Sequence, residues 1–219
     1  MPRTNQPIGL LFNGVWSQYA FATAPKYRDF YRLVYVHQLD ADALNGLEAL
    51  VIPFQSNQTI LGQKKALLHD FLAQGKKIVV FGDSQPTWID ALWEDRPVDN
   101  YWWVKDPTKP PVSNTDFSHP VYAGLSARHA CWHIHGIYTR IPEHAEVIQT
   151  NEAGEPITWQ TTAYGGVLFA STLDPIVEHG IQQIQHLDNY CDKLTAWLAG
   201  ETPRGAFTID LAAYGLPTP

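Results

Sequence analysis

The sequence predicts an α/β protein whose mainly parallel, doubly wound sheet is sandwiched by helices. Short continuous apolar runs recur along the first third of the chain, and such runs are typical of strands buried on both faces of a parallel sheet. A helical pattern separates the later runs, as βαβ units require. The chain has 219 residues, of which 45% are hydrophobic, so it is long enough to bury one sizeable core.

Four of the apolar runs are predicted to be adjacent, buried strands. They are residues Ile8–Phe12, 33–37, 49–53 and 78–81. Between the third and the fourth, residues 61–74 carry apolar side chains at helical spacing and predict one helix, which Gly75 is suited to end.

The second half of the chain is less regular. Residues 95–117 are rich in proline and aromatic residues, which predicts an irregular excursion from the sheet. Apolar spacing from Ile181 to Leu198 predicts one long closing helix. Further strands are predicted at residues 130–138, 145–149, 157–160 and Val167–Ser171. We therefore expect a single domain over residues 1–200, excursion included, and an irregular tail over residues 201–219.

Composition and missing motifs exclude several classes of function. A net charge of −7 favours neither a nucleic-acid partner nor a membrane surface. Two cysteines make no disulfide framework, no apolar run approaches the roughly 20 residues of a membrane span, and no signal-peptide layout is present, so we expect a cytoplasmic protein. Neither a P-loop nor a G-x-G-x-x-G motif occurs, so no cofactor is expected.

Three stretches of sequence carry a resemblance to a known family. The first stretch begins with ALVIPF, continues through a helix and ends with GKKIVVFGDSQ, and it looks like a third strand, a helix and a strand–turn–helix elbow. The second is DFSHPVYAGL, which precedes a mid-chain strand. The third is YGGVLFASTLDPIVEHG, which looks like a late strand with its following turn. In these stretches the chain resembles the class I glutamine-amidotransferase-like superfamily, in the branch of trehalose-utilisation-type proteins. The resemblance spans about residues 8–199 and implies a flavodoxin-like sheet.

The elbow departs from that family. A working glutaminase needs a cysteine there, activated by a histidine that a carboxylate orients. The elbow reads FGDSQ at residues 81–85, so Asp83 or Ser84 takes the nucleophile's place, depending on a one-residue shift of the alignment. Neither Cys131 nor Cys191 falls on a strand-to-helix turn, and the later HPE motif is absent. We expect no glutaminase activity.

Two interpretations of the elbow remain open. In the functional one, Asp83 or Ser84 is catalytic and stands beside helix N-terminal amides suited to an oxyanion or phosphate. In the structural one, either side chain caps the next helix and Gly82 makes the turn. Ligand-binding candidates around the elbow are Asn13, Gly14, Trp16, Gly82, Gln85 and His135.

Residues 129–135 carry three histidines at alternating positions. In a strand, His129, Cys131, His133 and His135 would share one face. Such a pair of histidines is half of a zinc site if other ligands join it; the alternative is a half-buried strand whose histidines bond to carbonyls or water. No metal is expected, but His133 and His135 would be its first ligands.

The motif LDPIVEH and the tryptophans offer further candidates. Asp174 could orient His179 as a catalytic base, or Asp174 and Pro175 could simply start a turn. Five tryptophans could stack on a ligand or serve core packing: Trp16, Trp88, Trp102, Trp103 and Trp132.

The sequence leaves three functions open. The first is a hydrolase- or isomerase-like enzyme acting on a small polar metabolite, carbohydrate-related compounds included, with Ser84 or Asp83 and a histidine from residues 133–135 or His179. The second is a catalytically silent binder of such a metabolite. The third is a structural or assembly subunit that uses residues 95–117 as an interface, and self-association into a homo-oligomer also stays open.

The expected ligand site is the carboxyl edge of the sheet, where ligands of doubly wound sheets gather. It would be bounded by residues 13–16, 82–85, 133–135 and 174–179. Polar side chains beside helix N-termini would favour an anionic or hydroxyl-rich ligand there.

Overall fold

A mixed sheet flanked by helices organises the chain in the computed structural model, which describes residues 6–209 and 211–215. The strands are β1 (Ile8–Phe12), β2 (Tyr31–Tyr35), β3 (Ala49–Ile52), β4 (Lys77–Phe81), β5 (Leu92–Glu94), β6 (Val112–Thr115), β7 (Ile137–Arg140), β8 (Glu146–Asn151), β9 (Pro156–Thr161) and β10 (Val167–Ser171). Within the described residues, eight of them form one sheet in the order β2-β1-β3-β4-β10-β9-β8-β6, and β5 pairs with β7 separately.

The predicted fold class is confirmed. Strands β2, β1, β3, β4 and β10 run parallel, and β9, β8 and β6 extend the sheet in antiparallel fashion. The four predicted apolar runs are neighbours at one side of the sheet, as expected. The second run is shifted, because β2 ends at the exposed Tyr35 and the next residues form a 3₁₀ turn.

Helices cover both faces of the sheet. They are α1 (Trp16–Thr23), α2 (Ala41–Leu44), α3 (Gln58–Gln63), α4 (Lys65–Ala73), α5 (Trp102–Lys105), α6 (Pro175–Gln182) and α7 (Gln185–Ala199). Side chains of β4 alternate between two cores: Val79 and Phe81 pack into the core that includes α1, α6 and α7, whereas Ile78 and Val80 pack into the core that includes α2, α3 and α4. This two-sided burial explains the continuous apolar runs.

Two predicted helices are each divided. Where one helix is predicted over residues 61–74, the structure has two shorter helices, α3 and α4, which meet at Lys64. The predicted closing helix is also wrong as a single element, because Gln183 adopts a left-handed conformation (φ 52°) that ends α6 before α7 begins. The apolar spacing continues across the break, since both helices pack on the same face of the sheet.

The predicted strand 130–138 is also wrong. Only β7 is a strand there, and Ile134 makes a single bridge to Leu173. Gly136 separates the two with φ 84°, and a Cβ at this position would overlap the Glu94 carbonyl oxygen. The backbone thus turns sharply where the pattern predicts a continuous strand.

The mid-chain excursion returns to the sheet. Its last part, β6, pairs with β8 and forms the edge of the main sheet, which corrects the prediction that residues 95–117 leave the sheet. In the tail, Phe207 is buried and Leu211–Tyr214 form a 3₁₀ helix. Residues 1–5 of the predicted domain, and 210 and 216–219 of the predicted tail, lie outside the described residues.

Within the part of the chain described here, no helix combines the length and the apolar character needed to cross a membrane.

Gly180 permits the close packing of α6 on α1. It is buried, and a Cβ there would overlap the carbonyl oxygen of Ser17. We expect Gly180→Ala to lower the free energy of unfolding by about 2 kcal/mol, although alanine is ordinarily the better helix former. Denaturant unfolding measures the change. The exposed neighbour Ile181, replaced by alanine, serves as the control and should shift stability by less than about 0.5 kcal/mol. An unchanged or more stable Gly180→Ala protein would contradict this packing.

Candidate functional site

The carboxyl ends of β1, β3, β4 and β10 meet at one edge of the sheet because these strands are parallel and adjacent. The chain segments that follow them carry most of the predicted site residues. Five titratable side chains there form what we call the acid–histidine cluster: Asp83, His133, His135, Asp174 and Glu178.

The elbow after β4 is tied to the end of β10. The amide of Gly82 donates to the carbonyls of Ser171 and Leu173, at 2.9 and 3.0 Å. Gly82 has φ 76°, and a Cβ there would overlap the Phe54 ring. The following residues run through turns to β5 without a helix. The predicted strand–turn–helix elbow is therefore wrong, and both the helix-capping interpretation and the proposed amide donors lose their basis.

Asp83 and Ser84 have different environments. Ser84 is only 1% exposed, and its hydroxyl shares a 2.8 Å hydrogen bond with the hydroxyl of Tyr138. Asp83 is half-buried; burial raises the pKa of its carboxyl, and nearby His135 partly offsets this. Gln58 holds the elbow by donating to the Asp83 carbonyl at 3.3 Å. Asp83 is thus the more available of the two candidate side chains, and the catalytic role of either stays a prediction.

His135 is held by backbone and ring contacts. Its amide donates to the Thr172 carbonyl at 2.8 Å, and Trp93 Nε1 donates to its carbonyl at 2.6 Å. Its ring stacks on Phe54 with centroids 4.1 Å apart. Nε2 lies 3.7 Å from Asp174 Oδ2, and neither atom has a hydrogen-bond partner among the described residues. The side chain is 24% exposed while Nε2 is buried, so the exposed surface lies on its other atoms.

Asp174 has two roles in the geometry. Its Oδ1 accepts a hydrogen bond from the Val177 amide at 3.2 Å and caps α6, as the turn interpretation predicts. Its side chain is 1% exposed, and burial raises the pKa of its carboxyl, although His135 opposes that shift. Oδ2 faces His135 and not His179.

The predicted Asp174–His179 pair does not form. His179 is buried, and its Nε2 lies 2.9 Å from Asp188 Oδ1 on α7. The His179 ring also contacts the ring of Phe207 in the tail. Burial alone would raise the pKa of Asp188, but hydrogen bonds from His179 and the Phe207 amide, with the charge of Lys26, lower it to about 2. The side chain of His179, facing α7, therefore belongs to a buried ionic network beneath the tail, and its catalytic role stays an unsupported prediction.

The histidine-rich segment does not present one face. His133 Nδ1 lies 3.4 Å from Glu178 Oε1, and this contact lowers the pKa of Glu178. Cys131 is instead buried in the core, and His129 contacts Asn189 on α7. Across residues 6–209 and 211–215, no three histidine, cysteine, aspartate or glutamate side chains are grouped so that they could hold a metal ion.

Asn100, in the mid-chain excursion, positions the segment that carries His133 and His135. Its Oδ1 accepts from the Ile134 amide at 2.9 Å, and its Nδ2 donates to the Ile134 carbonyl at 3.2 Å. The side-chain amide thus replaces a strand neighbour between the two histidines. Sequence reasoning missed this residue, because nothing in its local pattern distinguishes it from other turn asparagines.

The other predicted ligand-binding residues divide into two groups. Asn13 joins two loops: its Nδ2 donates to Ser56 at 3.1 Å, and its Oδ1 accepts from the Asn57 amide at 2.9 Å. Gly14 and Gln85 are exposed, and Trp16 is 46% exposed beside Tyr214. By contrast, three of the other candidate tryptophans are buried: Trp88, Trp102 and Trp132.

A cavity of about 540 Å³ opens at the opposite edge of the sheet, between α2 and α4. Its ionisable lining groups are Asp42, Asp70 and Lys76, of which Lys76 pairs with Glu48. A volume of this size suits a ligand. It lacks the paired histidines and buried carboxyl of the acid–histidine cluster.

Comparisons with known proteins identify the fold. No family model and no curated protein matches the sequence. A putative GMP synthase subunit from Thermoplasma acidophilum matches with a TM-score of 0.58 and 12% identity, over 88% of this chain and 94% of its own. The cytoplasmic protein STM1381 from Salmonella typhimurium LT2 matches with a TM-score of 0.54 and 14% identity, over 87% of this chain and 99% of its own.

A larger enzyme contains a similar fold. The exo-β-1,4-mannosidase Op5Man5 from Opitutaceae bacterium strain TAV5 matches 93% of this chain with a TM-score of 0.53 and 14% identity, and the match spans 37% of the mannosidase. Likeness at such identities shows the fold alone. The chain therefore has an α/β fold with a mainly parallel, flavodoxin-like sheet.

The Ser84–Tyr138 hydrogen bond is expected to stabilise the elbow. Ser84→Ala and Tyr138→Phe should each lower the free energy of unfolding by about 1–2 kcal/mol, since each leaves a buried hydroxyl unpaired. The double variant should lose about 1 kcal/mol less than the sum of the two. Denaturant unfolding of all four proteins measures this coupling, with the exposed Ser113 replaced by alanine as control. Strictly additive losses would argue against the bond.

Proposed function

We propose that this chain binds a small polar metabolite at the acid–histidine cluster and processes it by acid–base chemistry, without glutaminase activity. The observation that carries the proposal is the position of His135, whose Nε2 faces the buried carboxyl of Asp174 at 3.7 Å while the side chain remains 24% exposed. A histidine with one nitrogen facing a buried carboxylate and a partly open ring is suited to exchange protons with a ligand.

The pairing defines the role of each nitrogen. A small rotation of the His135 ring brings Nε2–H within hydrogen-bond distance of Asp174 Oδ2, and the carboxylate then fixes that tautomer. The lone pair of Nδ1 is left for a substrate proton. Apo-state distances in such pairs are often long and shorten when substrate binds.

Asp83 supplies the second group of the proposed reaction. Burial raises the pKa of its carboxyl, so it holds a proton at higher pH than an exposed aspartate does. A carboxyl with a raised pKa beside a histidine base matches the usual division between general acid and general base. The reaction class is therefore proton transfer, as in a hydrolase or an isomerase, and the elbow contributes Asp83 rather than the buried Ser84.

The alternative function, a structural role in an assembly, has less structural support. It requires the aromatic excursion to present an apolar interface, yet Trp102 is buried and Trp103 stacks on Trp132 within the chain. Among the large apolar side chains described between residues 95 and 117, those exposed are Tyr101, Val104 and Phe117. Self-association stays a prediction.

A glutaminase assay tests whether the missing cysteine at the elbow abolishes that activity. We expect purified protein to release no ammonia from glutamine at neutral pH, because burial raises the pKa of both thiols, Cys131 and Cys191, and disfavours the nucleophilic thiolate. A coupled ammonia assay measures the release, with an active glutaminase as positive control. Turnover that disappears in Cys131→Ser or Ser84→Ala protein would overturn this expectation.

The proposed site is tested by mapping ligands and then removing the base. In a screen of polar metabolites by amide NMR, we expect binders to shift the signals of Asp83, His135 and Glu178. For any compound that is turned over, His135→Gln should lower the rate at least about 100-fold. His144→Gln is the matched control, because His144 is almost fully exposed on a distant turn.

Two results would contradict the proposal. One is a screen whose binders map only to the 540 Å³ cavity between α2 and α4. The other is a turnover rate that His135→Gln leaves unchanged.

A further inference from the structure

We infer that the acid–histidine cluster takes a ligand through a cationic group, such as an ammonium, and disfavours phosphates and carboxylates. This inference rests on the proposed function for its location, and it names the class of ligand that the location accepts. Four observations carry it: the charge of the cluster, an unpaired buried oxygen, the use of the helix N-terminus, and the aromatic surroundings.

The cluster is negative. Its three carboxyl groups, Asp83, Asp174 and Glu178, have only histidines as cationic neighbours: no lysine or arginine in the described part of the chain forms an ion pair with them. With the three carboxyls ionised and the histidines neutral, the cluster carries three negative charges, and two remain when Asp83 holds the proton of the proposed reaction. A surface with a single sign of charge concentrates counter-ions of the opposite sign.

The burial of the Asp174 carboxyl is a second observation. Its side chain is only 1% exposed, and Oδ2 has no hydrogen-bond partner among the described residues although it is directed toward His135. A buried carboxylate oxygen without a partner is costly unless positive charge or a donor reaches it. His135 Nε2 is the nearest donor to this oxygen, at 3.7 Å, and a cation bound at the open side of the ring adds positive charge beside that pair.

The N-terminus of α6, which could bind an anion, is already capped by a carboxylate of the protein. Helix N-termini bind anions through their free amides and the positive end of the helix dipole. At this edge the N-terminus of α6 is capped by the carboxylate of Asp174 itself, which accepts from the Val177 amide. The elbow after β4 offers no replacement, since turns and not a helix follow it. The basis for the expected anionic ligand is therefore missing at both places.

Aromatic faces surround the two histidines. Phe54 stacks on His135, Trp132 stacks on His133, and Tyr101 meets the His133 ring edge at 6.4 Å. Tyr101 is 68% exposed, so it can turn toward a ligand without losing core contacts. Tyr101 is the exposed ring among the three, and it can attract a cation through its negative face.

The inference is tested with charged nitroxide probes, which need no identified ligand. Paramagnetic relaxation of backbone amides is measured with the ammonium probe 4-amino-TEMPO and separately with the carboxylate probe 4-carboxy-TEMPO. At the amides of Asp83, Gln85 and Glu178, we expect the ratio of cationic to anionic effects to exceed the chain-wide mean at least about threefold. Because the ratio is referred to that mean, the net charge of −7 does not by itself produce the result.

Matched variants identify the source of the effect. Asp83→Asn combined with Glu178→Gln removes two charges from the cluster and should bring the ratio close to the mean. Asp42→Asn combined with Asp70→Asn removes two charges at the opposite edge and should leave the ratio at the cluster unchanged. Amide spectra of each variant show that the fold is retained.

A wild-type ratio at or below the chain-wide mean overturns the inference, and so does a ratio that the Asp83/Glu178 variant leaves unchanged. This failure is distinguishable from failure of the proposed function. The probes report charge preference without turnover, whereas the metabolite screen and His135→Gln report whether a ligand binds and reacts there.

Discussion

The parallel pairing of β4 with β10 is the constraint on which the site depends. These strands are far apart in sequence, yet they pair in register from Lys77 with Val167 to Phe81 with Ser171. Gly166 makes the approach possible, since a Cβ there would overlap the Lys76 carbonyl oxygen. The pairing brings the elbow and the turn before α6 to the same edge. Without it, Asp83 and Asp174 would not lie near one histidine.

The histidine segment depends on that pairing in turn. Residues 133–135 belong to no strand, and they are held from several directions: by the bridge of Ile134 to Leu173, by the amide of Asn100 and by the indole of Trp93. These supports are side chains or a single bridge, rather than a ladder of backbone bonds. The position of His135 is therefore set by the mid-chain excursion as much as by the sheet, and the excursion is part of the site.

The sequence predicts the parallel strands well because their side chains serve two cores, and burial on both faces requires apolar residues without alternation. It predicts less where one local conformation decides the outcome. The left-handed Gln183 divides the closing helix, and turns replace the helix after Ser84, although neither leaves a clear signal in the apolar pattern. The partner of His179 is Asp188, which lies on another helix. Helix packing therefore decides this pairing, and the local motif does not show it.

The use of Asp174 as a helix cap changes what the N-terminus of α6 can bind at the carboxyl edge of the sheet. The motif places a carboxyl at the start of α6, where the helix N-terminus stabilises negative charge. A helix N-terminus without such a cap would attract an external anion. Because the chain supplies its own anion there, and directs the second oxygen to His135, the same helix dipole stabilises a group of the protein and helps to hold it ionised. The edge thereby gains a carboxylate that can orient a histidine, and the N-terminus of α6 no longer serves to bind a phosphate or a carboxylate of a ligand.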